Sequence, residues 1–497
     1  MSLLTTEEYK AIAAGLEFPT QAFIDGAFRP AISGKTFDTV NPATGAVLAA
    51  VAACGPEDVD FAVAKARDAF EDGRWSRLHP RDRKEALIKL AKLVKRNARE
   101  LAVMESLDSG KTIFDCETVD VPETVNCLTW HAELIDKIYD QVAPASDNHI
   151  AMIVREPVGV VGLVLPWNFP LLMLAWKIGP ALAAGCSIIV KPALETSLTA
   201  LRMAELAMEA GIPAGVFNVV PGGGAEVGEP IGRHMDIDAV SFTGSTATGR
   251  RFLKYAGESN LKEVTLEMGG KNPAVVLDDA ENLDRVAAHI VNGAFWNMGE
   301  NCSASSRLIV QKGVKDALLE RIYDHAREWP MGDPLDPVNR VGALVSKAHY
   351  DKVSSYLGKG PKVLMGGKAD AGFVEPTILE VARDAKQARE EIFGPVLSVL
   401  TVDSFDEAIA LANDTEYGLA ASIFTANVKK AIRGARAIRA GTVTVNSFGE
   451  GDISTPFGGF KASGFGGRDN GIHAHDQYTQ IKTIWVDLAD DGDEAVG

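Results

Sequence analysis

The chain has 497 residues, of which 46% are hydrophobic and 24% charged, and its formal net charge is −17. This length and composition are typical of a globular protein with two or three domains. The negative charge argues against nucleic acid or an anionic membrane as the main partner, although a lysine or a helix N-terminus could still hold phosphates. The five cysteines form no CxxC pair, so neither a metal site such as zinc nor a disulfide framework is expected.

The sequence predicts a reduced, cytoplasmic protein. The stretch MSLLTTEEYKAIAAGLEF has early acidic residues and lacks a basic start followed by an apolar core, so no secretory signal is expected. The longest apolar run, VGVVGLVL at 158–165, lies between two prolines and is too short to span a bilayer.

The first predicted element is an amphipathic helix at 81–104, where apolar residues recur at helical spacing between lysines and arginines. From 158 onwards, apolar runs typical of buried strands alternate with helical patterns. The predicted strands are 158–165, 186–190, 216–220 and 239–244, and the predicted helices are 171–185 and 198–211. This alternation predicts βαβ units and a parallel sheet.

A second α/β pattern is predicted from residue 264. Its strands are VTLE (264–267), AVVL (274–277), RLIV (307–310) and PVLSVLTV (395–402), and one of its helices is 404–413. The acidic tail DLADDGDEAVG (487–497) is expected to be frayed.

Each strand of the first series ends in a segment that could hold a ligand, because ligands bind beyond the carboxyl ends of parallel strands. Four such ends, one of them carrying Lys191, favour a dinucleotide site. The spacing of Gly222, Gly224 and Gly228 is not GxGxxG, however, and glycines at strand ends are often only turns. The segments are PWNFP (166–170), KPA (191–193), PGGGAEVG (221–228) and TGSTATG (243–249).

Three residues are candidates for chemistry. Cys302, in WNMGENCSASSRLIV, is flanked by polar residues, which fits a reactive thiol, although a structural cysteine fits equally well. Glu267 in TLEMGGKN and Glu391 in EEIFGPV each precede glycine-containing turns. A solvated loop carboxylate remains the alternative for both.

Taken together, in order and spacing, the motifs resemble those of the aldehyde dehydrogenase superfamily over about residues 20 to 485. The resemblance implies an α/β fold with a Rossmann-type parallel-sheet cofactor domain, an α/β catalytic domain and a small β oligomerisation arm. The motifs are PWNFP, KPA, FTGST, LEMGGKN, the Gly-x-x-Cys loop at 299–302, EEIFGPV and PFGGFKASG at 456–464.

By this resemblance, the cofactor domain comprises 1–130 and 156–263, the catalytic domain 264–470, and the arm 131–155 with 471–497. A homodimer or homotetramer is expected. The strand QIKTIWVDL (480–488) alternates in a way that suits pairing with a neighbour's sheet edge.

The resemblance also implies a reaction, the oxidation of an aldehyde to a carboxylic acid with hydride transfer to NAD(P). Cys302 matches the nucleophile that gives a thiohemiacetal and then a thioester. The Asn168 side chain and the Cys302 N–H would stabilise the oxyanion. Glu267 matches the base that activates the deacylating water, and Lys177 matches a lysine implicated in proton relay.

NAD is the expected cofactor. NAD-using members usually carry a glutamate three residues after the lysine, where it binds the ribose 2′-hydroxyl, but here that position is Leu194 and the glutamate is Glu195. NADP is therefore expected to be accepted to a measurable degree. The residues that match cofactor contacts are Pro166, Trp167, Asn168, Lys191, Leu194, Glu195, Gly224, Gly228, Gly244, Ser245, Glu267, Glu391 and Phe393.

The substrate is expected to be a small-molecule aldehyde. ELIDKIYDQV (133–142) and GDISTPFGGFKASG resemble the branch that oxidises aminoaldehydes from polyamine breakdown, including γ-glutamyl-aminobutyraldehyde. Glu450 and Asp452, near the mouth, could attract an ammonium or be solvated loop charges. The other residues that match the aldehyde tunnel are Phe169, Met173, Trp176, Trp296, Asn301, Ser303 and Phe457.

Three alternatives remain open from the sequence. The substrate could be another aliphatic or aromatic aldehyde. A cofactor-free cysteine hydrolase needs a histidine beside the thiol, and the chain has nine histidines. A non-catalytic structural protein on the same fold is disfavoured by the joint presence of Cys302, Glu267 and Asn168.

Overall fold

Two large sheets form the framework of the computed structural model, which describes residues 3–358 and 360–489. The first sheet has eight strands, and its central strands run parallel, so the predicted parallel sheet is confirmed. In spatial order its strands are Ala27–Arg29, Ala22–Ile24, Phe217–Val219, Ser187–Lys191, Val160–Val164, Ala239–Gly244, Glu263–Met268 and Gly464–Phe465.

The order of the parallel strands creates a crevice at the centre of this sheet. The chain runs from Val160–Val164 outward to one side and then returns to Ala239–Gly244 on the other side. Connections leave the sheet in opposite directions from these two neighbours, so a gap opens beyond their carboxyl ends. The segments that begin at Pro166 and Ser245 therefore face each other across this gap.

The helix Pro170–Ala184 follows the fully buried strand Val160–Val164. Every residue of the helix is buried, its first position is a proline, and it ends at Gly185 with a left-handed φ of 104°. Proline suits the first helical position and glycine the left-handed cap. The helix therefore begins directly after PWNF and holds that segment at the sheet edge.

The second sheet has seven strands and confirms the predicted strands at 274–277, 307–310 and 395–402. Its strand pairs are all parallel except the pair at one edge, Lys362–Met365 with Thr377–Glu380. In spatial order the strands are Lys362–Met365, Thr377–Glu380, Val396–Val402, Arg307–Gln311, Pro273–Val276, Ala420–Phe424 and Thr442–Val445.

The assignment of VTLE to the second pattern is wrong. Glu263–Met268 pairs in parallel with Ala239–Gly244 and belongs to the first sheet. The chain passes between the sheets after Met268 and before Pro273. An apolar strand pattern does not reveal which sheet the strand joins, and for this reason the predicted boundary at 264 cuts a strand from its sheet.

The predicted single helix at 81–104 is two helices, Pro80–Arg96 and Ala98–Ser109. Asn97 breaks the pattern with ψ of 21°, and its Nδ2 donates to the Leu93 carbonyl at 2.8 Å. Asparagine competes for backbone hydrogen bonds and so favours helix ends.

A three-stranded antiparallel sheet forms the arm from Gln141–Ala143, His149–Pro157 and Thr479–Asp487, which confirms the C-terminal strand. Thr479–Asp487 is an edge strand, and Ile481 and Trp485 on it are 68% and 63% exposed. Residues 490–497, which include most of the tail predicted to be frayed, lie outside the described residues.

The remaining elements cover these sheets, and all five cysteines are free. Within residues 3–358 and 360–489, no helix combines the length and apolar character needed to cross a membrane. The short ribbons are Thr36–Val40 with Val47–Ala52 and Ala369–Asp370 with Phe373–Val374. The other helices are Thr6–Ala14, Pro56–Glu71, Ile113–Asp115, Cys116–Asp120, Val121–Leu134, Leu198–Ala210, Gly224–Gly228, Glu229–Arg233, Thr246–Gly257, Leu283–Phe295, Trp296–Gly299, Lys315–Arg327, Lys347–Ser354, Lys386–Arg389, Phe405–Asn413, Val428–Ala437, Lys461–Ser463 and His473–Asp476.

A buried arginine joins the second sheet to a covering helix. Arg307 begins its strand and donates to the carbonyls of Lys271 at 2.8 Å, Leu411 at 3.1 Å and Ala412 at 2.9 Å. Leu411 and Ala412 lie in the last turn of Phe405–Asn413, where a cation is favoured. Arg307 thus satisfies carbonyls that water does not reach.

Arg307→Met should lower the free energy of unfolding by about 2–4 kcal/mol, because three buried carbonyls lose their donors. Urea unfolding followed by fluorescence would measure the change. Arg436→Met, on the exposed face of Val428–Ala437, is the matched control and should leave the midpoint unchanged. Equal midpoints for the two variants would contradict the stabilising role of Arg307.

Candidate active site

The loop that carries Cys302 is held in a strained conformation. Asn297 and Met298 have left-handed φ values of 52° and 55°, which cost energy for residues other than glycine. Asn297 Nδ2 donates to the Asn168 carbonyl at 3.0 Å and to the Glu300 carbonyl at 2.9 Å. These bonds fix the loop against the end of the first sheet.

Asn272 fixes the other side of the same loop. Its Nδ2 donates to the carbonyls of Cys302 at 2.7 Å and Ala304 at 3.0 Å. Its Oδ1 accepts from Ala420 N at 3.0 Å. Asn272 belongs to the LEMGGKN motif, but the sequence predicted no role for it, although a polar residue directly before a buried strand was a usable signal.

The Cys302 side chain is half-buried where two cavities meet. Burial raises the pKa of the thiol well above its usual range, and the carboxylates of Glu450, Glu267 and Glu391 raise it further. The resting thiol is therefore protonated at neutral pH.

Asn168 is placed to donate a hydrogen bond beside this thiol. It is buried and lines a cavity with Cys302, and its Nδ2 donates to the Glu300 carbonyl at 2.9 Å. A side-chain amide carries two donor hydrogens. One of them fixes the rotamer, which leaves the other for a ligand.

Glu267 lies near the end of Glu263–Met268, and its Oε2 accepts from Gly459 N at 3.2 Å. Burial and the nearby Asp469 raise the pKa of Glu267 well above the usual range, whereas Lys177 and Arg468 act in the opposite direction. A carboxylate whose pKa is raised is a stronger base than an ordinary carboxylate.

Behind Glu267 lies a fully buried charged pair. Lys177 Nζ donates to Ser241 Oγ at 2.8 Å and lies 3.7 Å from Asp469 Oδ2. Sequence reasoning missed Asp469, whose only signal was an acidic residue within the glycine-rich GFGGRDNG. Asp469 Oδ1 in turn accepts from Gln477 Nε2 at 3.3 Å.

A cavity of about 260 Å³ lies on the first-sheet side of Cys302. Glu391 Oε1 accepts from Gly270 N at 2.9 Å on its wall. A Cβ at Gly269 would lie 2.1 Å from Glu391 Oε1, so a side chain there would displace the Glu391 carboxylate. The predicted cofactor residues that line the cavity are Pro166, Trp167, Asn168, Gly244, Ser245, Glu267, Glu391 and Phe393.

Three aromatic rings shape the same cavity. The Trp167 ring centroid lies 4.9 Å from that of His349 and 5.3 Å from that of Phe393. His349 Nε2 donates to the Phe393 carbonyl at 2.6 Å, and burial lowers the pKa of His349 to about 4. His349 is thus a neutral wall residue with its Nε2 already engaged, unlike the base that a cysteine hydrolase needs.

The other predicted cofactor residues lie outside this cavity. Lys191 Nζ donates to the Pro192 carbonyl at 2.9 Å, and burial lowers the pKa of Lys191 to about 8. Gly224–Gly228 forms a separate turn beside it. Leu194, 41% exposed, and Glu195 line a second cavity of about 690 Å³ with residues 38–45 and 344–347.

The opposite side of Cys302 faces an aromatic pocket. The Phe169 and Trp296 ring centroids are 5.2 Å apart, and those of Trp176 and Phe457 are 5.4 Å apart. The predicted substrate residues on its wall are Phe169, Met173, Trp176, Trp296, Glu450 and Phe457. The pocket shares Leu172, Trp176, Trp296 and Glu450 with an outer cavity of about 470 Å³.

The structure separates the roles of the two acids in the 446–455 loop. Glu450 accepts a hydrogen bond from Ser303 Oγ and lines both the aromatic pocket and the outer cavity. Asp452 lines only the outer cavity; it is exposed, and its Oδ1 accepts from Ser454 N at 2.9 Å. Asn301 and Ser303 are buried, and Asn301 Oδ1 accepts from Ser303 N at 3.0 Å, so they support Glu450.

Glu450→Gln should speed alkylation of Cys302 by iodoacetamide several-fold at neutral pH. Removing a negative charge beside the thiol favours the thiolate and lowers the thiol pKa. The alkylation rate as a function of pH would measure the change, with Asp452→Asn as the control in the same loop. An unchanged rate would show that the Glu450 charge does not reach the thiol.

Comparison with known proteins gives a consistent result. The chain is 68% identical over 493 residues to the aminoacetaldehyde dehydrogenase of Pseudomonas aeruginosa, with 98% of this chain and 99% of that protein covered. It is 45% identical over 485 residues to the NADP/NAD-dependent aldehyde dehydrogenase PuuC of Escherichia coli, covering 96% and 97%.

A solved structure, the γ-glutamyl-γ-aminobutyraldehyde dehydrogenase of Burkholderia cenocepacia, superposes with a TM-score of 0.96 at 50% identity, covering 98% of this chain and 100% of that one. Residues 28–484 match the model of the aldehyde dehydrogenase family. The chain therefore belongs to the aldehyde dehydrogenase family.

Proposed function

We propose that this protein oxidises aminoaldehydes to the corresponding amino acids with NAD as the hydride acceptor. The observation that carries the proposal is that the Cys302 thiol and the half-buried Glu450 carboxylate face one aromatic pocket. An aldehyde at the thiol would place an attached ammonium toward Glu450. The name of the Pseudomonas aeruginosa relative, an aminoacetaldehyde dehydrogenase, supports this substrate class.

Cys302 is the proposed nucleophile. Its sulfur attacks the aldehyde carbonyl, and the thiol proton passes to solvent water as the carbon–sulfur bond forms. The oxygen of the resulting thiohemiacetal becomes negative and is stabilised by the second Nδ2 hydrogen of Asn168 and the Cys302 backbone N–H. Because Asn168 is already held by the Glu300 carbonyl, this donor needs no reorganisation.

Glu267 is the proposed base for release of the acid. It takes a proton from water, the resulting hydroxide attacks the thioester carbonyl, and the sulfur leaves as Cys302 thiolate. The raised pKa of Glu267 suits this task. Lys177 and Asp469, close behind it, provide polar atoms along which the proton can move on.

The residues of the 260 Å³ cavity fit the nicotinamide half of a dinucleotide, whereas Leu194 and Glu195 lie on a separate cavity. Glu391 offers a carboxylate to sugar hydroxyls, and the first amides of Thr246–Gly257 offer donors to phosphate. When bound there, the nicotinamide would accept the hydride that the thiohemiacetal carbon must lose to become the thioester. Leu194 offers the ribose no carboxylate, which supports some acceptance of NADP beside NAD, and PuuC carries both cofactors in its name.

The proposed assembly is a homodimer or homotetramer formed through the arm. Its support is the edge strand Thr479–Asp487, whose exposed Ile481 and Trp485 suit contact with another chain. Three further points remain predictions: the cytoplasmic location, the pathway of polyamine catabolism and the domain boundaries. The boundary predicted at 264 is moved to follow Met268, so that the strand Glu263–Met268 stays with its sheet.

Cys302→Ser should abolish NADH formation from any aldehyde, because a serine hydroxyl without an adjacent base is a poor nucleophile. Absorbance at 340 nm measures NADH, and NAD binding should persist. Cys54→Ser, at a buried cysteine that lines neither of the two cavities beside Cys302, is the control and should retain activity. Substantial turnover by Cys302→Ser would refute the assignment of the nucleophile.

Glu450→Gln should raise KM for 3-aminopropanal relative to propanal by about tenfold, the effect of losing one charged contact in a buried site. Because both aldehydes react with the same Cys302 thiol, a change in thiol reactivity affects both KM values and leaves their ratio unchanged. Asp452→Asn, whose carboxylate serves its own loop, should leave the ratio unchanged. If both variants or neither changed the ratio, Glu450 would not be the ammonium site.

A further inference from the structure

The outer cavity is larger than a short aminoaldehyde needs. It encloses about 470 Å³ and continues from the aromatic pocket past Trp176, Trp296 and Glu450. Two charged residues on its far wall, Asp115 and Arg340, have no part in the mechanism proposed for the aldehyde end.

Asp115 is only 4% exposed, and its Oδ2 has no hydrogen-bond partner among the described residues. A buried carboxylate oxygen without a partner is costly, and such groups normally find a donor. Lys111, a buried cation whose charge acts on Asp115, instead forms an ion pair with Asp120 and lies 4.0 Å from the centroid of the Phe169 ring.

Arg340 lies over the Phe114 ring, with Cζ 3.3 Å from the ring centroid. Its Nη1 is buried and, within the described part of the chain, also lacks a hydrogen-bond partner. The ring holds the guanidinium plane in place while leaving the nitrogens to bind something else.

The two groups are close but not paired. Arg340 acts on the carboxyl of Asp115 by its charge, yet among the described residues no ion pair within 4.0 Å joins them. Unpaired opposite charges on one cavity wall match a ligand that carries both signs. An ammonium alone at this wall of the outer cavity would leave Arg340 without a partner and would be repelled by it.

We propose that the outer cavity binds an α-amino acid group at the far end of the substrate, with Arg340 on its carboxylate and Asp115 on its ammonium. This inference rests on the proposed function in that the aldehyde end must reach Cys302. γ-Glutamyl-aminobutyraldehyde is a substrate of this class, since its glutamyl end carries both charges.

The first test varies the substrate on the wild-type enzyme. The series is γ-glutamyl-aminobutyraldehyde, the glutaryl analogue without the α-amine, and the 4-aminobutyryl analogue without the α-carboxylate. Each deletion should raise KM about tenfold, as expected for loss of one charged contact, with kcat nearly constant. Equal KM values across the series would overturn the proposal.

The second test varies the enzyme. Arg340→Gln should raise KM about tenfold for the two aldehydes with the α-carboxylate and leave the 4-aminobutyryl analogue unaffected. Asp115→Asn should affect only the two aldehydes with the α-amine. Glu123→Gln, an exposed carboxylate on the same cavity wall, is the matched control and should change none of them.

If Asp115→Asn fails to fold, the substrate series and Arg340→Gln still decide the question. An equal effect of Arg340→Gln on all three aldehydes would overturn the proposal, as would no effect on any. Failure of Glu450→Gln to change the 3-aminopropanal ratio would instead refute the ammonium site of the proposed function. The two failures are therefore distinguishable.

Discussion

The Asn272 side chain is the contact on which the geometry of the active site depends most directly. One amide group joins the carbonyls on both sides of Ser303 to Ala420 in the neighbouring strand. The loop it holds contains Asn297 and Met298 in left-handed conformations, which would relax without restraint from both ends. Rigid sheet strands thus position a thiol that lies on an irregular segment.

Three carboxylates surround this thiol, and each belongs to a different part of the reaction. Glu267 is the proposed base for water, Glu391 lies on the cofactor side and Glu450 on the substrate side, and all three oppose ionisation of Cys302. If Glu450 takes a substrate ammonium as proposed, the bound substrate neutralises one of these charges. Binding of the correct substrate would then favour the thiolate, which couples recognition to reactivity.

The sequence predicted much of the fold because buried parallel strands read as continuous apolar runs, and the helices beginning at Pro170 and Leu198 end at glycines. The prediction from sequence failed where it depended on contacts between elements, such as which strands pair. VTLE has the pattern of a strand in either sheet, and Asn97 divides a helix whose apolar spacing continues across the break.

The candidate site, like the fold, was predicted only in part from the sequence. The motifs located Cys302, Glu267 and Glu391, which lie near the end of a strand or a few residues before one. They did not reveal Asp469, His349 or Arg340, because these reach the cavities from loops and a short helix far away in the sequence. Nor could spacing separate Glu450 from Asp452, since only the fold determines which of two nearby acids turns inward.

The three-stranded arm sheet can be completed only late in synthesis. His149–Pro157 pairs along its whole length with Thr479–Asp487, which leaves the ribosome hundreds of residues later. At roughly 5–20 residues per second, the earlier strand waits tens of seconds with one edge unpaired. The exposed edge is a hazard for aggregation during this interval. A nascent chain truncated before residue 479 would therefore carry an open edge along His149–Pro157, so a later segment of the chain protects an earlier one.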